Sequence, residues 1–384
     1  MKNILTIILS CSLIFLSAKA NSVPEVTGEP VVVQHLGKIL WPQDTPVETP
    51  YLTQTNSSDI NDLHGDLDCD FIISTAGNYH FALLEAMQGR TGFEGLQSIL
   101  LNTFGLKACW STSPPISPEQ TITDKLQFKN IIMHGKPALV MGPGGVMNAL
   151  ANQGSIVDTR PASTPGTAFL RNKGNVILIH ARQANKVKDI CDLARSGIRV
   201  ITPSNTLESG SFGNFSGTIF NVADQNNFGC DATDLFNSIF SQDITDFDLE
   251  PFNNPTDITG VWQVFYAGNA TPKWVASSRI MHRDIPYALC YDLADAGVIF
   301  HHQATYLKTT MAETMNCPLE IIPLPGTFEN PMGNRFGTLR VAKVLGHTDT
   351  NVVDAQEFVF NFLVNSPIWT QILMDNDLVD PSPN

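Results

Sequence analysis

The segment Leu193–Ile219 constrains this chain more than any other. A β-branched run, Ile198–Thr202, reads as a short buried strand. Pro203 ends it, and Ser209, Gly210 and Ser211 form a small polar turn that opens a helix. A helix start carries unpaired N–H groups and partial positive charge, so it suits an anion or a polar oxygen. Serine hydroxyls at the same place add donors; an ordinary serine N-cap is the alternative reading. The same grammar occurs twice more. Phe71–Ser74 runs into Thr75-Ala-Gly-Asn and then into the helical spacing of Tyr79–Gln88. Ala138–Met141 runs into Gly142-Pro-Gly-Gly and a helix over Val146–Asn152.

Asn175–His180 is a further strand, nearly free of polar residues inside, and Ala296–His301 is another. Strand, turn and helix repeated in this way predict an α/β fold with mostly parallel, doubly covered sheets. Val352–Val364 is amphipathic at helical spacing, and Ser366-Pro367 starts a last helix through Leu373. Asn214–Asn269 is rich in Asn, Asp and Phe and reads as helix plus irregular insertion. Ligands of open α/β sheets bind beyond the carboxyl ends of the strands. One helix terminus is worth only ~0.3–1 kcal/mol to a charge, whereas micromolar binding needs about 8 kcal/mol. Several donors must therefore converge in a dry cleft, which favours two lobes closing on one solute.

The formal net charge of -14 argues against a nucleic-acid partner. Residues 1–20 read as a signal peptide: Lys2, an apolar run over Ile4–Leu16, and Ala18-Lys19-Ala20 as a cleavage site. Cleavage before Cys11 and lipid anchoring is the alternative. Residues 21–69 form a proline-rich arm, with five prolines by Asp66, too sparse in apolar runs to make a core. Its aspartates miss the helix-loop-helix calcium spacing, so a solvated acidic turn is expected and no metal site. Six cysteines remain after the leader, none at Cys-x-x-Cys spacing. They pair in one of fifteen full arrangements or stay as buried thiols.

Three segments resemble the type II class of periplasmic solute-binding proteins of ABC transporters, in particular the molybdate and sulfate carriers. Asn175-Val-Ile-Leu-Ile-His, then Val187-Lys-Asp-Ile-Cys-Asp-Leu and Gly197-Ile-Arg-Val, is similar to the family's first interlobe crossover. Leu293-Ala-Asp-Ala-Gly-Val-Ile-Phe resembles the return crossover. Ala355-Gln-Glu-Phe-Val-Phe-Asn-Phe-Leu with Ser366-Pro is similar to the closing helices. The resemblance implies a two-lobed periplasmic-binding-protein-like fold, each lobe a mostly parallel sheet flanked by helices. Lobe 1 would be 70–179 with 300–384, and lobe 2 would be 180–299. It also implies a monomeric, exported, periplasmic protein without enzymatic activity or cofactor, which delivers a small polar or anionic solute to an inner-membrane permease. Molybdate and sulfate are among the candidates.

By position, Ser74, Thr75 and Asn78 match the first ligand loop, with Tyr79 beside them a further candidate, and Ser209, Gly210 and Ser211 match the helix start of the second lobe. Gly144 and Gly145 form the third turn. Arg283, beside Asp284, is the cation near the return crossover, and His301 follows the last strand. Tyr79, His80, His180, His282, His301 and His302 make the expected cleft richer in imidazole and aromatic groups than a plain oxyanion pocket. On a strand, His301 and His302 would point to opposite faces and could not share one metal. Two other classes of function compete: an extracellular interaction protein on the same fold, and an exported hydrolase. The hydrolase lacks a Gly-x-Ser-x-Gly elbow and a His-Glu-x-x-His pair.

Overall fold

Phe71–Ser74 is buried along its whole length, as a strand covered on both faces must be. Ile73 packs among helical residues such as Val352 and Val359, and Ile72 packs with Met147 and Leu150 on the other side. The computed structural model describes residues 25–26, 63–66, 69–76, 79–111, 125–128, 131–157, 165–203, 209–240, 243, 245, 273–276 and 281–381.

In chain order the described strands are β1 (Glu25–Val26), β2 (Leu63–Gly65), β3 (Phe71–Ser74), β4 (Ala108–Ser111), β5 (Lys125–Phe128), β6 (Ile131–His134), β7 (Leu139–Gly142), β8 (Ile156–Val157), β9 (Thr167–Arg171), β10 (Asn175–His180), β11 (Val200–Thr202), β12 (Trp274–Ala276), β13 (Ala296–Phe300), β14 (Leu319–Pro323) and β15 (Thr338–Val344). The helices are α1 (His80–Gln88), α2 (Leu96–Ile99), α3 (Gly144–Asn152), α4 (Ser209–Gln225), α5 (Ala232–Phe240), α6 (Met281–Cys290), α7 (His301–Met315), α8 (Thr350–Asn365) and α9 (Pro367–Asp375).

Two sheets carry the fold. The first runs β2-β4-β3-β7-β15-β8, with β9 also on β15; the second runs β12-β11-β13-β10-β14. Each has three adjacent parallel strands, β4-β3-β7 and β12-β11-β13, the latter at one edge of its sheet. Antiparallel strands extend both, because the chain returns from one sheet to the other in the opposite sense. The apolar cores divide the same way. One draws its fully buried members from 176–319; the others draw theirs from 69–170 and 339–378. The two expected α/β lobes are present.

Their limits differ from the sequence expectation. All of β10 belongs to the second sheet, and so does β14. The chain therefore crosses at 172–174 and 324–337 rather than at 180 and 300. Helix α7 hid this, since it sits between two strands of one sheet. His301 and His302 are its first residues and not the end of a strand. Ala304, Leu307 and Met311 supply its buried stripe. The arm expected over 21–69 also contributes structure: β2 pairs with β4, and Glu25–Val26 pairs with Ile131–Ile132. Strands of two or three residues carry too little alternation to be read from sequence. The insertion expected over 214–269 begins as the rest of α4 and as α5, while its residues 246–269, like residues 1–20 expected as a leader, lie outside the described residues.

The motifs behind the family resemblance serve the fold. Asp295 of Leu293-Ala-Asp-Ala-Gly is 2% exposed and accepts from Arg199 Nε and the Arg199 N–H, both at 2.9 Å, and from Gln183 Nε2 at 2.6 Å. Burial alone would raise this carboxyl, but the Arg199 guanidinium, the Arg199 N–H and the Gln183 amide outweigh it and hold it low. In Ala355-Gln-Glu, Gln356 donates to the carbonyls of Ala138 and Val344, at 2.6 and 2.9 Å, and so ties α8 to β15. Ser366 caps α9 by accepting from the Ile368 N–H, and Trp369 donates to the Phe169 carbonyl at 3.0 Å. The six cysteines of residues 21–384 are all paired: Cys69–Cys109, Cys191–Cys230 and Cys290–Cys317. Each bridge stays within one lobe, leaving the crossovers without a covalent staple.

Candidate functional site

Strand direction decides where a solute can sit. In the second sheet Asn175, the first residue after a crossover, pairs with Phe300, the last residue of β13. Strands β11 and β12 run parallel to β13, so Thr202 and Ala276 end at the same edge. In the first sheet β15 leaves the other crossover at Thr338, and its Arg340 pairs with Gly142, the last residue of β7. Strand β3 runs parallel to β7 and ends at Ser74. The carboxyl edges of both sheets therefore lie on the crossover side. Five helices start there: α1, α3, α4, α6 and α7. Their amino ends present N–H groups and partial positive charge to that region.

The crossovers are held by asparagine side chains. Asn172 Oδ1 accepts from the Gly337 N–H at 2.8 Å and the Gly174 N–H at 3.1 Å, and the Asn172 N–H donates to the Gly337 carbonyl at 2.9 Å. Asn334 accepts from the Asn175 N–H and donates to its carbonyl. Asn175 Nδ2 then donates to Asn214 Oδ1 and Thr218 Oγ1 of α4, at 3.0 and 2.8 Å. All three asparagines are buried. Two glycines make the close approach possible. Gly174 has φ +82°, and a Cβ there would meet the Phe336 ring at 2.8 Å. Gly333 has φ +85° and lies so close to the Asn221 carbonyl of α4 that a Cβ would reach its oxygen at 2.3 Å.

Aromatic rings bridge the lobes. Tyr79 stacks on His302, with centroids 5.3 Å apart and planes within 7°, and lies 6.0 Å from Phe300. Phe81 stacks on Tyr306 at 3.6 Å, and Phe215 of α4 meets Phe300 edge-on at 4.8 Å. The Tyr79 hydroxyl accepts from Asn172 Nδ2 at 3.4 Å. Burial pushes the Tyr79 phenol far above its ordinary pKa, despite the Asn172 contact, so it stays protonated.

The sequence-predicted residues divide as follows. Ser74 ends β3 at the crossover edge, Thr75 follows it, and both are 1% exposed. Tyr79 belongs to the interlobe stack. Gly144 and Gly145 are the first residues of α3, which begins two residues earlier than expected, after extended Pro143. Ser209, Gly210 and Ser211 begin α4, whose later residues Asn214, Phe215 and Thr218 contact the crossover and β13. Arg283 is the third residue of α6. Asn78 lies outside the described residues.

His301 faces the crossover. Its N–H donates to the Gly174 carbonyl at 3.0 Å. Burial lowers the imidazole pKa, the Asp377 carboxylate opposes that, and Lys173 adds to it. Lys173 and Asp377 pair at 2.7 Å. His301 thus lies with Lys173 and Asp377 at the crossover. His180 is at the opposite end of β10, where Nδ1 accepts from the Arg182 N–H at 3.1 Å. It leaves the expected cleft entirely, because β10 runs away from the crossover. Among the described residues no group of His, Cys, Asp or Glu could hold a metal ion. No described helix is long and apolar enough to cross a membrane.

Sequence reasoning missed the crossover contacts of Asn172, Asn175 and Asn334. Their only signal is an asparagine beside a strand end, which is too common to stand out.

No family model and no curated protein sequence matches this chain. Similar solved structures include the sulfate-binding protein SubI from Mycobacterium tuberculosis H37Rv, at 16% identity and TM-score 0.46, covering 82% of this chain and 87% of that one. Peb3 from Campylobacter jejuni is 14% identical at TM-score 0.42, covering 81% of this chain and 100% of that one. The binding protein AgtB from A. tumefacien R10, solved with agropinic acid, is 10% identical at TM-score 0.46, covering 79% and 80%. Similarity at this level does not bear on ligand or role.

Proposed function

We propose that this chain is an exported, monomeric solute-binding protein. It captures a small polar or anionic solute at the crossover-facing edges of its two lobes and delivers it to an ABC permease in the inner membrane. One observation carries the reading: the carboxyl edges of both sheets, with five helix starts, lie on the side of the paired crossovers. Five helix starts at ~0.3–1 kcal/mol each fall short of the about 8 kcal/mol of micromolar binding, so hydroxyl and N–H donors from both edges must add to them. Paired crossovers without a covalent staple suit hinged closure. The leader pattern of residues 1–20, with cleavage after Ala20, and three disulfides both fit an oxidising, extracytoplasmic compartment. Oxyanions such as molybdate and sulfate are first in the panel of solutes.

A second reading, an interaction protein on the same fold, is favoured by the rings already seated across the seam. Tyr79 and Phe81 of one lobe stack on His302 and Tyr306 of the other.

The test is a melting-temperature panel of oxyanions, amino acids, organic acids and divalent metals, followed by scattering with any hit. A ligand bound only by the folded chain must raise the melting point, by an amount equal to about 2.7 kcal/mol at a hundredfold excess over Kd. Contraction with one solute class is expected. Replacing Ser209 and Ser211 together by alanine should weaken that binding and leave ligand-free stability near wild type. A flat panel overturns transport and leaves the interaction reading.

A further inference from the structure

We propose that His301 is an acid-sensitive wedge between the two lobes: when its imidazole takes up a proton, the first two turns of α7 part from lobe 1 and the lobes swing open. This concerns the ligand-free chain and stands apart from the solute-binding reading.

Helix α7 belongs to the second lobe, with Ala304, Leu307 and Met311 in that core. The other face of its first two turns meets lobe 1. His302 stacks on Tyr79, and Tyr306 stacks on Phe81. Thr305 is within hydrogen-bonding reach of the Asp377 carboxylate, and His301, one turn before it, acts on the same carboxylate through charge. Asp377 adjoins Leu378 of the first lobe's core and pairs with Lys173 of the first crossover at 2.7 Å. The His301 N–H is fixed on the Gly174 carbonyl of that crossover at 3.0 Å. His301 therefore lies where the second lobe, the crossover and the first lobe meet.

The ring is accommodated as a neutral group. Its Nδ1 is enclosed and has no hydrogen-bond partner among the described residues. A neutral imidazole can leave one nitrogen bare, whereas an imidazolium carries N–H on both and needs an acceptor for each. An enclosed cation without one is costly. The carboxylate at hand, Asp377, is already engaged by Lys173 and Thr305. Of the other ionisable groups on the packed elements, Arg171 pairs with Glu329, His302 is in the ring stack, Lys308 is exposed, and the buried Tyr79 phenol stays protonated. Burial disfavours the imidazolium, Asp377 favours it and Lys173 disfavours it, with a balance below the ordinary histidine pKa. The proton therefore binds more tightly wherever the ring reaches water, and acid shifts the chain toward that arrangement. The closed seam is fully favoured above about pH 6.5 and progressively less as pH falls through the folded value. Burial would raise the Asp377 carboxyl, but Lys173 and Thr305 hold it low, so Asp377 keeps its charge over this range.

The test is small-angle scattering of the ligand-free full chain from about pH 7.5 to about pH 5, on either side of the ordinary histidine pKa. It compares wild type with His301→Gln, which is neutral throughout, and melting of the variant is the folding check. Exchange of the imidazole C2 hydrogen for deuterium, read by fragment mass, gives the His301 pKa in wild type and needs no variant to fold. A His301 pKa below about 6.5 is expected. The wild-type radius of gyration should rise on acidification with its midpoint at that pKa, and the radius of His301→Gln should stay flat. A flat radius in wild type, an equal rise in His301→Gln, or a His301 pKa at or above about 6.5 overturns the wedge.

Discussion

Asn175 and Asn334 hold each other by a reciprocal pair of hydrogen bonds. Asn334 Oδ1 accepts from the Asn175 N–H at 2.9 Å, and Asn334 Nδ2 donates to the Asn175 carbonyl at 3.0 Å. One side-chain amide thus acts as a rung of a ladder between the two crossovers. The same Oδ1 accepts from the Arg335 N–H at 2.8 Å.

Asn334→Ala leaves three backbone groups at a buried position without their partner. A cost of about 3 kcal/mol is expected, since each unsatisfied group costs ~1–3 kcal/mol before relaxation. Asn334→Asp keeps the acceptor and loses the donor, so it should cost less. Denaturant midpoints of the two variants check the order; equal midpoints would mean the rung contributes nothing.

Asp295→Asn should destabilise by about 2–3 kcal/mol at pH 7, toward the low end for a broken pair because the Arg199 side chain is 34% exposed. The folded-state pKa of Asp295 is depressed. Its contribution is therefore full above the unfolded carboxylate pKa, about 3.9, and is lost as pH falls through the folded value. The gap between wild type and Asp295→Asn should be widest at pH 7 and close in strong acid. A gap independent of pH would assign the loss to packing.

Phe81→Ala removes one ring from the interlobe seam, and the Tyr306 ring it stacks on belongs to the other lobe. A stacked pair is worth ~0.5–1.5 kcal/mol beyond its buried area. The ligand-free variant should show a larger radius of gyration by scattering, while Tyr79→Phe, which keeps its ring on His302, should not. An unchanged radius in Phe81→Ala would mean the asparagine lattice alone fixes the lobe angle.

Removing the Cys290–Cys317 bridge by serine at both positions should cost about 3.5 kcal/mol, from the entropy of a loop of 27 residues. The bridge lies within the second lobe, so the loss should appear in unfolding of that lobe. Trp274 is in that lobe and Trp110 and Trp369 are in the other, so tryptophan variants can separate the two transitions by fluorescence.

The chain itself determined a good deal. Apolar periodicity and turn chemistry are local, so β3, β10, α8, α9 and the helix opening at Ser209 follow from their own residues. So does the α/β class, because strand–turn–helix repeats have few ways to pack. What tertiary structure decided is everything that depends on which strands share a sheet. Asn175–His180 reads as a strand from sequence, yet only its pairing with Ala296–Phe300 and Leu319–Pro323 assigns it to the second lobe and moves the crossover to 172–174. The ends of strands then sort the polar residues. His180 falls at the far edge, while His301 comes to the crossover, its N–H on the Gly174 carbonyl. Periodicity records which face a residue occupies; only long-range pairing records which end of the sheet it reaches.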